Sequence, residues 1–280
     1  MNPAVIGAAL IWLGGWGLNA WLARRTGAGW LRILPPLVFG ATLLTVWELL
    51  VRGFGVSPVL LPPPSAIWAK LIASGPTLRA DVWQTFVRGA LTGYVIGCGA
   101  GIAVGILADR SDFLRRGLLP VGDFVSALPI IGMAPIMVMW FGFDWQSKAA
   151  VVVLLTFFPM LVNTVQGLAA AEPQQRDLMR TYAATWGQTM LFLKLPAAAP
   201  FLFNGLKICT TLALIGAIVA EFFGSPTSGM GFRISTEAGR LALDMVWAVI
   251  AVAAAVGSAF YGVVALAERA ATFWHPAQRG

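Results

Sequence analysis

The sequence predicts an all-α polytopic membrane protein, and three observations carry that reading. The 280 residues are 58% hydrophobic and only 11% charged, where soluble domains carry roughly 25% charged residues; the mean hydropathy is +0.79. Seven apolar runs can be marked, at about 4–22, 33–51, 84–108, 120–141, 147–169, 197–220 and 245–267. Each is close to the roughly 20 residues a helix needs to cross a bilayer core. Finally, a polar, basic stretch, EPQQRDLMRTYAATWGQTMLFLKLP at 172–196, stands between two of the long runs. No polar stretch is long enough to fold as a separate soluble domain.

The first run is too long and too Trp-rich for a signal-peptide core, and no basic region precedes it. It is read as a span, so residues 1–32 form an extra N-terminal span and loop and residues 33–280 the main transmembrane domain. In the second run Glu48 precedes Arg52 by four residues, the favourable helical orientation for a local ion pair. Leu61-Pro62-Pro63-Pro64-Ser65 then stops the chain, because proline removes a backbone donor and fixes φ. Ser65 is expected to cap a short amphipathic helix over 66–74, serving either as a spacer or as a docking surface.

The third run carries Gly89, Gly93, Gly97, Gly101 and Gly105 at four-residue intervals. That spacing places all five on one helical face, where two backbones can approach closely in lipid. The face serves either static packing or sliding. In the fourth run Pro129 and Pro135 are expected to break helical hydrogen bonding, which is tolerated at depth only beside protein or a cavity. Met133, Met137 and Met139, with Trp140 and Phe141, offer an adaptable lining, either for a translocation pathway or for ordinary kinked packing. Asn163, Gln166, Thr210 and Thr211 are polar groups that can reach a common cavity or bond between helices. Lys207 lies inside the sixth run, to be paired or to attract an anion. The 172–196 stretch suits an amphipathic helix at the membrane surface that a soluble partner could grip.

Lys and Arg set the expected orientation. With 172–196 cytoplasmic, that side holds Arg24, Arg25, Arg32, Arg110, Arg115, Arg116, Arg176, Arg180, Lys194, Arg269 and Arg279. The other side holds Arg52, Lys70, Arg79, Arg88, Lys148, Arg233 and Arg240, spread over longer loops.

Catalytic chemistry is sparse. His275 is the single histidine and follows the last run; it is read as interfacial, not as a metal ligand. Cys98 and Cys209 fall in apolar runs and read as buried small hydrophobes. No HExxH, GxSxG or GxxxxGK[ST] is present, so neither metal, nucleophilic nor phosphate-loop chemistry is expected on this chain. The net charge of +7 lacks the basic patch with stacking aromatics of a nucleic-acid binder.

The segment RDLMRTYAATWGQTMLFLKLPAAAPFLFNGLKI resembles the cytoplasmic coupling loop of bacterial ATP-binding-cassette (ABC) importer permeases. In that family an acidic residue and small residues precede a Gly-Ala pair, with Leu-Pro further on. Here Asp177 takes the acidic position, Arg180 and Ala184 match, and Leu195-Pro196 closes the pattern. Ala183 stands where the family usually has glycine, and Gly187 lies four residues later. LPPPSAIW, the Arg88–Gly105 run, SALPIIGMAPIMVMWFG, FFPMLVNTVQGL and AEFFGSPTSGMGFRI extend the resemblance over about residues 40–270, toward the nitrate, sulfonate, taurine and thiamine-precursor permeases.

The resemblance implies a six-helix type I importer core plus one extra N-terminal span, in the bacterial cytoplasmic (inner) membrane. It implies a pathway between two permease copies, a homodimer for preference, to which Glu221 is added from the last of those motifs. It implies two ATPase subunits, which bind ATP and Mg in place of this chain, and an external substrate-binding protein. A short helix with Asp177, Arg180, Ala183, Ala184 and Gly187 would dock on the ATPase. The substrate would be a small nutrient: a pyrimidine-type thiamine precursor, a sulfonate, taurine or nitrate. An ion-coupled secondary transporter and a membrane scaffold are the rival classes, and neither calls for 172–196.

Overall fold

The computed structural model describes residues 3–25, 33–111, 117, 129–224 and 227–273. All their regular structure is helical. The helices are α1 (Pro3–Arg25), α2 (Leu34–Gly53), α3 (Pro64–Ala73), α4 (Gly75–Val82), α5 (Thr92–Asp109), α6 (Ile130–Phe141), α7 (Trp145–Ala169), α8 (Pro173–Thr181), α9 (Trp186–Thr189), α10 (Leu195–Glu221), α11 (Met230–Gly239) and α12 (Leu243–Ala271). Two π-helical stretches, Trp83–Leu91 and Met190–Lys194, join α4 to α5 and α9 to α10.

Six helices among the described residues are long and apolar enough to cross a membrane: Pro3–Arg24, Leu34–Gly53, Gly75–Asp109, Trp145–Ala169, Trp186–Glu221 and Leu243–Ala271. The seventh expected span is described only as the shorter helix α6, since 118–128 lie outside the described residues. Pro129 holds the N-terminal cap position of α6, and Pro135 is inside it.

Two boundaries differ from the sequence reading. The helix expected at 84–108 begins at Gly75. The helix expected to start at 197 begins at Trp186, so Leu195 and Pro196 lie within a continuous helix, not at the end of a loop. Proline lacks an N–H and crowds the carbonyl four residues back. The wider π turn at Met190–Lys194, directly before Pro196, makes room for the ring.

The chain divides into two compact units. The first is Met1–Pro76 with Thr236–Ile250. Here α1 and α2 pair as a hairpin, with Gly15 against Thr42 and Gly53 against Ala4. Trp12 meets Phe39 edge-on at 6.2 Å, and Trp47 meets Trp247 at 5.1 Å. Glu48 pairs with Arg52 at 2.5 Å. Ser65 does not cap α3. Its N–H and hydroxyl donate to the Glu48 carboxylate at 3.0 and 2.8 Å, and Pro63 holds the cap position. The prolines place Ser65 in the first turn, where its orphan N–H faces the carboxylate.

The second unit is Thr77–Ser235 with Ala251–Gly280. Its central helix is α7, along which α5 and α10 both pack. Asp144 starts α7 by accepting from the Trp145 N–H at 2.8 Å. The buried core joins Ala90, Tyr94 and Cys98 to Val152, Met160, Cys209, Ala213 and Phe260. The Phe260 ring meets Phe86 and Tyr94 edge-on at 5.2 and 4.9 Å, a preferred aromatic geometry.

All five spaced glycines face α7. A Cβ on Gly93 would lie 2.6 Å from the Ala149 carbonyl oxygen. On Gly101 it would lie 2.7 Å from that of Phe157, and on Gly105 2.6 Å from the Thr164 methyl. Gly89 has the Lys148 Cβ at 3.4 Å, and Gly97 abuts Thr156. The two backbones are close enough that no side chain fits between them.

Candidate functional site

Residues 172–196 fold as two helices joined by a tight turn. Pro173 occupies the first position of α8, where a missing N–H costs nothing. The Gln175 side chain accepts from the Glu172 N–H at 3.3 Å, within a capping box. No residue of α8 is buried. Asp177 and Arg180 pair at 3.1 Å with both side chains exposed.

The turn closes in a Schellman arrangement. Ala184 N–H donates to the Met179 carbonyl at 3.0 Å and Ala183 N–H to that of Arg180 at 2.9 Å. Ala183 has φ +50°, the left-handed region, which glycine enters freely and alanine does not. Thr185 then opens α9: its N–H donates to Gln188 Oε1 at 2.8 Å and its hydroxyl accepts from the Gln188 N–H at 3.3 Å. Gly187 lies in α9 with open space where a Cβ would stand.

Beneath this turn is a recess of about 280 Å³ lined by Arg176, Arg180, Ala184, Trp186, Thr189 and Lys194. The Arg110 guanidinium sits 5.6 Å from the Trp186 ring centroid. Lys194 reaches both carboxylate oxygens of Asp109, the last residue of α5, at 2.8 Å.

The opposite end of the same helices holds a buried polar network that sequence reasoning missed. Glu221, 2% exposed, accepts from the Thr85 hydroxyl and from the Gly231 N–H at 2.7 Å. Thr85 Oγ1 accepts from the Met230 N–H at 2.7 Å. Asp81 accepts from the Gly229 N–H at 2.9 Å and from Arg233 Nε at 2.8 Å. The N-terminal donors of α11 are thus capped by three side chains from distant segments, two of them carboxylates favoured at that helix end. The buried Lys148 ammonium donates to the carbonyls of Phe143 and Gly224. Only the AEFFGSPTSGMGFRI run and its Glu221 hinted at this region. Asp81, Thr85 and Lys148 carry no local signal.

The residues nominated for a pathway lie on α6, α7 and α10. Met139 and Trp140 are 82% and 71% exposed. Met133 and Pro135 are half-buried on α6. Trp140 lines an apolar recess of about 450 Å³ with Ile96, Met137, Phe141, Trp145 and Val153. Asn163 donates to the Pro159 carbonyl and accepts from Asn204 at 3.3 Å, while Gln166 is exposed. Thr210 is buried with its hydroxyl on the Lys207 carbonyl at 2.7 Å, and Glu221 is committed to capping; neither faces open space. Thr211, its neighbour, is exposed because adjacent helical side chains diverge. Lys207 pairs with Glu268 at 2.7 Å between α10 and α12. No group of three His, Cys, Asp or Glu among the described residues could hold a metal ion.

Comparison with known proteins adds to this geometry. Residues 97–272 match the family described as the binding-protein-dependent transport system inner membrane component. The formylaminopyrimidine transport permease protein ThiX of Halalkalibacterium halodurans is 36% identical, covering 71% of this chain and 79% of that protein. The aliphatic sulfonates transport permease protein SsuC of Bacillus subtilis is 31% identical over 91% of this chain and 92% of its own. The taurine transport system permease protein TauC of Escherichia coli is 30% identical over 84% and 87%.

Proposed function

Since the chain belongs to the binding-protein-dependent transport system inner membrane component family, and is a multi-pass ABC importer permease subunit of the cytoplasmic membrane, we propose that residues 172–196 are where a separate ATPase drives it. One observation carries this reading. Helix α8 buries none of its residues, yet its turn leads directly into the helix Trp186–Glu221, which is long and apolar enough to cross a membrane and packs along α7. A surface so exposed and so rigidly joined to a span suits the grip of a soluble motor.

Asp177, Arg180, Ala183, Ala184 and Gly187 form the docking surface, with the small residues admitting close approach. Leu195 and Pro196 continue the segment into the span. Two ATPase subunits bind ATP and Mg and do the hydrolysis; this chain contributes no catalytic group. A second copy of the chain completes the pathway, and an external binding protein delivers substrate. Met133, Pro135, Met139, Trp140, Asn163, Gln166 and Thr211 are the lining candidates. A pyrimidine-type nutrient is the proposed substrate, on the strength of the ThiX similarity; a sulfonate or taurine comes next.

The test is purification of the chain in detergent with its associated proteins identified. An ATPase should co-purify and should be lost when residues 177–187 are altered. Recovery of the chain alone, with transport persisting in ATP-depleted vesicles, would instead favour an ion-coupled transporter.

A further inference from the structure

We infer that the Lys194–Asp109 ion pair is a positioning contact that makes the helices Gly75–Asp109 and Trp186–Glu221 move as one lever, carrying a displacement of residues 173–189 to the opposite end of the bundle. The inference deepens the proposed function and rests on it.

A push on the turn at Ala183 enters the second unit through α9, the first turn of the helix Trp186–Glu221. A single helix pushed at one end tilts or slides unless its neighbour is fixed to it. Here the neighbour is fixed at three levels. At the near end Lys194 holds Asp109 through both carboxylate oxygens at 2.8 Å. Midway the Tyr94 hydroxyl donates to the Leu206 carbonyl at 3.2 Å, and Cys98 and Cys209 share one buried cluster. At the far end Thr85 donates to Glu221 at 2.8 Å. At 1.5 Å per residue, the stretch from Thr85 to Asp109 is about 36 Å long, comparable with a hydrocarbon core of about 30 Å. The lever therefore spans a membrane.

Both end contacts lie at π-helical stretches. Thr85 is in Trp83–Leu91 and Lys194 closes Met190–Lys194. A π turn holds an extra residue and so resets which side chains face the neighbouring helix. The near-end pair is the more telling. Lys194 and Asp109 are only 16% and 12% exposed, beside an apolar cluster of Leu168, Met190 and Ala198. Removing one partner there strands a charge in a poorly solvated place. The glycine face of α5 contributes no side chain of its own to α7, whose Val152, Thr156 and Thr164 seat against it, so the direct ties between α5 and α10 are the three contacts above. The end pins decide whether α5 follows α10.

The test uses the full complex with its ATPase, carrying Trp83→Cys, an exposed position beside Thr85 at the far end of the helix Gly75–Asp109, with an environment-sensitive fluorophore. Both native cysteines are buried, so this chain is labelled at the exposed position before the ATPase is added. The readout is the emission shift on adding Mg-ATP and vanadate, which needs no knowledge of the substrate. Lys194→Met and Asp109→Asn should each cut the shift at least fivefold while the ATPase stays bound. The charge-swapped pair, Lys194→Asp with Asp109→Lys, should recover most of it. A full shift in either single variant would overturn the inference alone. So would a swap that assembles without recovering the shift, or that fails to assemble, since either result confines the pair to folding. A parent complex holding no ATPase would overturn the proposed function, and this inference with it.

Discussion

The Thr85 hydroxyl lies 2.8 and 2.9 Å from the two carboxylate oxygens of Glu221 and accepts from the Met230 N–H at 2.7 Å. One side chain thereby joins three segments. Thr85→Val should leave a buried carboxylate and a buried N–H short of partners, costing on the order of 1–3 kcal/mol for each. Thr85→Ser keeps the hydroxyl and should melt close to the parent. Thermal unfolding of the detergent-solubilised protein checks this; equal melting of the Val and Ser variants would refute it.

Ala183 carries a positive φ without the freedom of glycine. Ala183→Gly should slow amide hydrogen exchange across 173–189, by relieving a left-handed alanine that costs roughly 1–2 kcal/mol. Ala183→Val adds β-branching in the same region and should speed exchange there. Unchanged exchange in both variants would mean that the turn does not limit local order.

Asp177→Lys reverses a charge on the exposed face of α8, and Ala184→Trp fills part of the recess beside it. Both variants should insert and fold normally yet lose substrate-stimulated ATP hydrolysis by about tenfold or more, equivalent to roughly 1.4 kcal/mol of coupling. Stimulation at parental level would count against docking at this surface.

The glycine face gives an internally controlled experiment. Gly101→Val would put a Cβ 2.7 Å from the Phe157 carbonyl oxygen and force α5 and α7 apart, whereas Gly99 has open space and Gly99→Val should be tolerated. Overpacking typically costs about 1–3 kcal/mol, and more against backbone. Gel filtration of the two variants after mild heating should separate them; similar monodispersity would contradict the close approach.

Local pattern carried much of the fold. The long apolar helices, the Glu48–Arg52 pair and the shared face of five glycines all follow from spacing along the chain. What spacing cannot reveal is the partner. Glu221 reaches Thr85 across 136 residues and Asp81 reaches Arg233 across 152. Lys148 reads as a charge near a span end, but its ammonium turns inward to two loop carbonyls. Leu195-Pro196 reads as a boundary because proline usually is one, while the π turn before it lets the helix run through. Ser65 reads as a cap because its competing carboxylate lies 17 residues away.

The pairing of Lys207 with Glu268 bears on how the protein is made. Glu268 sits near the end of the last helix, and Lys207 about midway along α10. Lys207 alone disfavours entry of α10 into lipid by about 2.5–3.5 kcal/mol at mid-depth, whereas with Glu268 it forms a compact neutral unit. The translocation machinery would then retain α10 until α12 emerges from the ribosome, releasing both into the bilayer as a joined pair. Biogenesis of the bundle is, on this account, completed only by its C-terminal helix, and a chain truncated before Glu268 would be left for membrane proteases.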